Sequence, residues 1–393
     1  MNKEFLYEPA EDSFLLEKFV KAYAVGRVLD MGTGSGIQAL AAAQQEDVRS
    51  VLALDIQKEV IAYCKKTVVN KKITWVQSDL FSSLKKNKTF DTIIFNPPYL
   101  PADEKDPHPA LDGGKKGYET LLNFIEQAPD FLEKEGIIFI VFSSITKKDL
   151  VDEALRNKML DVELLEKQHV SFEDLYIYKI TKSALLKDLH DRGISAISYL
   201  SRGKRGKVFV GAYKKKKVAI KIKNPSSDAI GKIEHEAFML RRLEQHDLAP
   251  KALFFTKDYL VSEYIDGKLI GDFLRSSSLA KTQIVFRKLF LQMALLDSLR
   301  IMKEEMHHPH KHVFVTTTGK IMHIDFERAH FSEHPGNVTQ LCQFVTSSAI
   351  APLLEKKKLK IDKETMILLA KEYKRAQGNN RQAVLKEIMK QLR

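Results

Sequence analysis

The chain has 393 residues, 44% hydrophobic and 29% charged, a length that suits two domains of about 150 to 200 residues better than one core. No apolar run reaches the roughly 18 residues of a membrane span, and the acidic start MNKEFLYEPAEDSF lacks the apolar core of a secretory signal; a cytoplasmic protein without membrane contact is expected. The formal net charge of +12 is uneven: residues 1–180 hold 23 Lys and Arg against 29 Asp and Glu, and residues 181–393 hold 40 against 22. Such a basic half suits a phosphate-rich partner, RNA or the ribosome, or else a lysine-rich solvated surface. Cys64 and Cys342 are the only cysteines, which excludes a CxxC zinc site and a disulfide framework.

In chain order, short apolar runs alternate with helical segments: RVLDM (27–31), SVLALD (50–55), ITWVQSD (73–79), FDTIIFN (90–96) and GIIFIVFSS (136–144), with helices at 57–70 and 118–133. The alternation predicts an α/β domain with a doubly wound, mainly parallel sheet. VELLEKQHV and DLYIYKI (174–180) have strand composition with no helix between them, which predicts an antiparallel closing hairpin and a first domain spanning 1–180. From Thr181 the pattern changes to a short helix, strands within RGKRGKVFVGAYKKKKVAIKIK, a helix over IGKIEHEAFMLRRLEQH and a strand at YLVSEYIDG. The rest is mostly helical. A small α+β lobe (about 181–266) followed by a helical lobe (about 267–393) is the order of a bilobal protein-kinase-like domain.

RVLDM runs directly into Gly32-Thr33-Gly34-Ser35-Gly36 and then a helix, so the glycines sit where backbone must approach a ligand closely at a strand's carboxyl end. A nicotinamide loop would carry glycine at 37, where Ile37 stands. G-x-G-x-G after Asp30 resembles instead the class I S-adenosylmethionine-dependent methyltransferases. Asp55 ends the second strand, where a carboxylate can accept ribose hydroxyls, and Asp79 ends the third, placed for an adenine amino group with Leu80 against the ring face. Taken singly, each acid also reads as a helix N-cap.

Asn96-Pro97-Pro98-Tyr99 ends the fourth strand. An amide nitrogen is a poor nucleophile, because its lone pair is delocalised into the carbonyl; methylating it requires acceptors that hold the NH2 while the lone pair faces the methyl donor. The Asn96 side-chain oxygen and the Pro97 carbonyl are two such acceptors, Pro97 and Pro98 hold them with fixed φ, and Tyr99 can cover one face of the planar group. Alone, the tetrapeptide is also a plain proline turn.

With FLYEPAEDSFLL (5–16), VLDMGTGSG, ALD, QSDLF, NPPY and LDGGKKGYE (111–119), residues 4–180 resemble the HemK-like protein-glutamine methyltransferases, which modify class I translation release factors. The resemblance implies a seven-stranded Rossmann-like domain, S-adenosylmethionine as cofactor, and a catalytic NPPY. It adds Pro9, Asp12 and Ser13 as cofactor-binding candidates to Asp30, Gly32, Gly34, Gly36, Asp55, Asp79, Leu80 and Asn96, and makes Asp112-Gly113-Gly114 the far wall of a glutamine pocket. It is closest to the short archaeal and eukaryotic form, which implies a small zinc-finger activator subunit as partner. NPPY is shared with enzymes that methylate adenine N6 or guanine N2, so an RNA or DNA amino-group methyltransferase with a basic C-terminal module is the alternative.

In the second half, Gly203 to Gly206 resembles a compressed phosphate-covering loop, VAIK places Lys221 as the phosphate-pairing lysine, and Glu236 is its candidate helix partner. Glu263 would sit at a hinge reading adenine, Asp325 would hold Mg2+ with ATP, and His312 stands where a metal-binding asparagine is expected. His307 falls at the catalytic aspartate's position, and either it or Glu305 would serve as base. The ending IDFERA resembles small archaeal kinases of the RIO-related kind. His307, His308, His310 and His312 could also suggest a metal site.

Overall fold

In the computed structural model, which describes residues 6–85, 87–102, 111–203, 206–223, 232–304 and 306–392, the apolar runs of the first half form one seven-stranded sheet. Its strands are β1 (Gly26–Met31), β2 (Val48–Asp55), β3 (Ile73–Gln77), β4 (Phe90–Phe95), β5 (Leu132–Ser143), β6 (Leu160–Val170) and β7 (Glu173–Lys182), in the order β3-β2-β1-β4-β5-β7-β6. The first five are parallel, and β7 lies antiparallel between β5 and β6. Strands covered on both faces need near-continuous apolar runs, and Val28, Leu29 and Met31 of β1 are accordingly no more than 2% exposed. Helices α1 (Glu11–Tyr23), α2 (Ile37–Ala43), α3 (Lys58–Thr67), α4 (Glu119–Phe131) and α5 (Lys148–Asn157) accompany the sheet. Leu15, Leu16, Phe19 and Val20 recur at helical spacing and form the buried face of α1.

Register sets the position of the site. Met31 pairs with both Leu54 and Phe95, and Asp55 with Gln77, so β1, β2 and β4 stop at one level. Strand order reverses between β1 and β4, and at such a reversal the connecting chains leave in opposite directions and open a crevice at the carboxyl ends.

The chain divides into two compact units, Met1–Ser198 and Tyr199–Arg393. The boundary therefore lies past residue 180. Helix α6 (Ala184–Asp191) belongs to the first unit, tied by Lys134 to Asp191 at 2.7 Å and Lys187 to Glu135 at 2.5 Å. Long-range ion pairs of this kind leave no trace in hydropathy.

A five-stranded sheet follows, of β8 (Ile194–Arg202), whose residues up to Ser198 fall in the first unit, and of β9 (Gly206–Tyr213), β10 (Lys216–Lys223), β11 (Ala252–Phe255) and β12 (Tyr259–Glu263) in the second, in the order β11-β12-β10-β9-β8, with α7 (Lys232–Leu243) between β10 and β11 in sequence. Lys214 and Lys215, with φ of 48° and 64°, form the tight turn from β9 to β10. Among the described residues six α-helices follow: α8 (Ile270–Ser276), α9 (Leu279–Ser298), α10 (Asn337–Val345), α11 (Ala351–Lys356), α12 (Lys363–Arg375) and α13 (Gly378–Lys390). Among the described residues no helix is long and apolar enough to cross a membrane.

Candidate active site

The glycine loop after β1 is clamped from below. Thr33 Oγ1 donates to Asp30 at 2.5 Å, Thr33 N to Leu54 O at 2.8 Å, Gly34 N to Asp55 Oδ2 at 3.0 Å, and Cys64 Sγ to Gly34 O at 3.2 Å. A Cβ on Gly34 would meet nothing within 4 Å, whereas one on Gly36, at φ +84°, would lie 2.9 Å from the Trp75 ring. The two glycines thus differ: Gly34 faces open space, and Gly36 lets the loop settle on Trp75. Above the loop is a cavity of about 280 Å³ whose wall includes Ser13, Gly32, Gly34, Asp55, Asp79, Leu80, Asn96 and Pro98. Asp55 is not the N-cap of α3, which is Gln57; its Oδ1 accepts from Gln57 N at 2.9 Å. Burial raises its pKa.

Asn96 joins this wall through a network that reaches back to the N-terminal segment. Its Nδ2 donates to Asp12 Oδ2 at 3.0 Å and to Ser13 Oγ at 3.3 Å, and Tyr7 Oη donates to the other Asp12 oxygen at 2.9 Å. A carboxylate can only accept, so Asp12 decides which way the Asn96 amide faces. Asn96 Oδ1 is left buried with no partner among the described residues. Burial, then the negative charge of Asp12, pushes the phenols of Tyr7 and Tyr99 well above the ordinary tyrosine range. Both remain protonated donors.

The exit from NPPY is braced by the LDGG segment, backbone against backbone. Leu100 N donates to Leu111 O at 2.9 Å and Gly113 N to Leu100 O at 2.8 Å. A Cβ on Gly113 would lie 2.6 Å from Pro98 O and 2.4 Å from Gly117 O. These are carbonyls that cannot swing aside, so Gly113→Ala is expected to cost about 2–4 kcal/mol and to lower methyl transfer along with thermal stability. Differential scanning calorimetry beside an activity assay checks this.

Residues 11–171 match the family model of the methyltransferase small domain. A Methanocaldococcus jannaschii protein, assigned by name to the protein N5-glutamine methyltransferases, is 35% identical over 179 residues, 44% of this chain and 89% of that protein. The chain belongs to the HemK-like protein N5-glutamine methyltransferases. Human methyltransferase HEMK2 is 29% identical over 195 residues, 45% of this chain and 90% of that protein. The release factor glutamine methyltransferase of Rhodopirellula baltica is 35% identical over 130 residues, 30% of this chain and 44% of that protein. The HemK-like match thus spans nine tenths of the archaeal and human relatives and less than half of the bacterial one. As a HemK-like enzyme, the protein is an S-adenosylmethionine-dependent methyltransferase.

Several expectations change within the HemK-like site. Pro9 is half-buried and does not line the cavity, and Asp12 serves the Asn96 amide instead of the wall. Asp30 also leaves the set of direct contacts, because it lies 1% exposed beneath the loop and accepts from Thr33. Burial raises its pKa to about 7 against the hydrogen bond from Thr33. Between about pH 4 and 7 the unfolded chain ionises this carboxyl and the folded chain does not, so its contribution to stability falls as pH rises through that window. Asp30→Asn is expected to flatten that decline in denaturant midpoints measured from pH 4 to 8. Pro97 and Tyr99 do not line the cavity, although Pro98 does.

Two wall residues were not among the expected site residues. Gln38 on α2 donates from Nε2 to Ser13 O at 2.8 Å and leaves Oε1 buried without a partner among the described residues. Tyr7 sits within the YEPAEDSF segment, and its hydroxyl contact with Asp12 could be found only in three dimensions.

A second cluster lies in the second unit. Lys221 on β10 donates to Glu236 of α7 at 2.6 Å, to Asp325 at 3.2 Å and to Glu327 at 3.3 Å. Burial disfavours the Lys221 charge, but the three carboxylates outweigh it and hold its pKa above the ordinary lysine value. Asp325, in the left-handed region at φ 62°, is lowered despite burial by Lys221, Lys303 and His312. Lys303, 2% exposed and not anticipated from sequence, donates to Ile324 O at 2.7 Å and Asp325 O at 2.9 Å. His312 Nδ1 is 3.5 Å from Asp325 Oδ2. Glu263 does not join the cluster; it is exposed and accepts from Lys251 N at 3.3 Å. Gly203 N donates to Gly206 O at 2.8 Å; Lys204, Arg205 and Glu305 lie outside the described residues. Among the described residues Glu236, Asp325 and Glu327 bring ligand atoms within 4.8 Å of one another, and His307, His308, His310 and His312 bring no such set.

Proposed function

We propose that the first unit methylates the side-chain amide nitrogen of a glutamine in a protein of the translation machinery, a class I release factor being the preferred substrate. The observation that carries this reading is the Asn96 amide: its NH2 end is occupied by Asp12 and Ser13, and its oxygen, buried without a partner among the described residues, is an acceptor open to a donor. An unmet buried acceptor is costly, and a planar NH2 group is the kind of donor that relieves it. The cofactor cavity fits on the same grounds. S-adenosylmethionine carries an ammonium, ribose hydroxyls and an adenine amino group, all donors, and the wall offers Gln38 Oε1, Asp55 and Asp79 as acceptors.

When bound there, S-adenosylmethionine supplies an electrophilic methyl group. The residues of the chain do the positioning. Asn96 Oδ1 and the Pro97 carbonyl would hold the substrate NH2 so that its lone pair is turned toward the cavity, and the proton given up by that nitrogen on methylation would pass to water. Tyr7 and Tyr99, kept protonated, donate but do not act as bases. Orientation of this kind contributes roughly 7–11 kcal/mol in well-aligned cases. A small zinc-finger subunit is the partner that the family resemblance suggests.

Incubation with labelled S-adenosylmethionine and either a release factor or tRNA tests the reading. Label on a glutamine of the protein is the expected result, and label in RNA alone would overturn it in favour of an RNA amino-group methyltransferase.

For the second unit we propose a kinase-like site that binds ATP with Mg2+. The support is the Lys221–Glu236 ion pair, which links sheet and helix, and the carboxylate of Asp325 beside it. Asp325→Ala is expected to abolish Mg2+-dependent ATP binding in isothermal titration, and unchanged binding would remove the assignment.

A further inference from the structure

A groove of about 500 Å³ runs between α10 and α12 in the second unit, apart from the Lys221 cluster. Lys363, Lys371 and Lys374 stand along its α12 side; Thr339, Thr346 and Ser347 stand opposite. On a helix, positions 363, 371 and 374 fall within one face, and the first and last are about 16 Å apart along the axis. All three lysines are exposed, and none forms an ion pair with a described carboxylate. Asp362 is engaged instead as the N-cap of α12, accepting from Thr365 N at 2.7 Å. The field around the groove has the same sign, since residues 356–375 contain eight lysines and arginines against three acidic residues.

The opposite wall has the complementary character. Thr339 Oγ1 donates to Gly336 O, Thr346 Oγ1 to Cys342 O, and Ser347 Oγ to Phe344 O, at 2.7, 2.9 and 2.7 Å. With their hydrogens spent on helix carbonyls, these hydroxyls present lone pairs and act as acceptors. Buried Met366 and exposed Ile367 lie on the groove's apolar floor. The groove therefore asks for a ligand with anions along one edge, hydroxyl or amino donors along the other, and flat apolar surface between.

We propose that this groove binds single-stranded RNA, with phosphates on Lys363, Lys371 and Lys374 and with 2′-hydroxyls and base amino groups on the α10 wall. An acidic peptide matches the lysines but brings no regular array of hydroxyl and amino donors. The phosphate contacts supply affinity and its salt dependence, and the hydroxyl contacts favour RNA over DNA.

Fluorescence anisotropy of the full chain with a labelled mixed-sequence 12-nucleotide RNA, titrated at several KCl concentrations, tests this. The combined variant Lys363→Ser, Lys371→Ser, Lys374→Ser is expected to bind at least tenfold more weakly. The slope of log affinity against log salt should fall by about 2, since single strands lose roughly 0.7 per phosphate contact. Lys214→Ser, Lys215→Ser, Lys216→Ser at the β9–β10 turn removes the same charge elsewhere and should change binding much less. Equal loss in both triples would overturn the groove, as would unchanged affinity and slope. Displacement of RNA by polyglutamate at equal charge would reassign it to a protein partner, and equal affinity for the matching DNA would remove the hydroxyl contacts. Should the triple variant fail to fold, acetylation of the wild-type chain reads the same contacts: RNA protects Lys363, Lys371 and Lys374 if the proposal holds and leaves them reactive if it does not.

Discussion

Asn96→Ala is expected to lower methyl transfer to a protein glutamine by about 10²- to 10³-fold, the usual loss when one preorganised polar group is taken from a reacting centre. On the proposed function, truncation removes the acceptor for the substrate NH2, while most of the cavity wall stays in place, so S-adenosylmethionine affinity should change by less than about threefold. Labelled-methyl kinetics and calorimetric titration of the cofactor separate the two quantities. Asn96→Asp preserves the shape and should fare no better, because it sets a carboxylate where Asn96 Nδ2 now lies 3.0 Å from Asp12. Retained turnover in both variants would show that Asn96 does not hold the substrate.

Asp12→Ala is the second large effect, about 10- to 100-fold on kcat, although Asp12 does not line the cavity. Its carboxylate fixes the direction of the Asn96 amide, and without it that amide can turn its NH2 toward the substrate and present a donor where an acceptor is needed. A positioning role predicts that kcat falls while cofactor affinity holds, and that Asp12→Ala adds little once Asn96 is already alanine. If Asp12 instead touched the cofactor, the affinity would fall and the two losses would multiply. Tyr7→Phe, which removes the donor on the other Asp12 oxygen, should give a smaller loss of the same character.

The structure also accounts for how far motifs alone reach. G-x-G-x-G and NPPY were legible because each is a local device: glycines where backbone turns left-handed, prolines where carbonyls must stay still. Asp55 was legible as a strand-end acid because the end of a parallel strand is marked by the end of its apolar run, whereas Asp79 lies two residues past the end of β3. Asp12 and Asp30 lie behind the cavity wall, and the motifs did not show it for one shared reason. Both are acids beside binding motifs, and sequence does not tell an acid that faces the ligand from one that holds the residue facing it. Gln38 and Lys303 were missed because a single polar residue in an apolar helix or loop acquires meaning only from what surrounds it when buried.

Local sequence by itself therefore determined the strands and their alternation with helices, the loop that admits a cofactor and the tetrapeptide that presents acceptors, because periodicity and backbone preference are properties of neighbouring residues. Tertiary structure decided the rest. Parallel register brings the ends of β1, β2 and β4 to one level, and packing of α1 lays Asp12 and Ser13, more than eighty residues away in sequence, against the Asn96 amide. Which end of that amide is spent and which remains open follows from hydrogen-bond geometry across that distance.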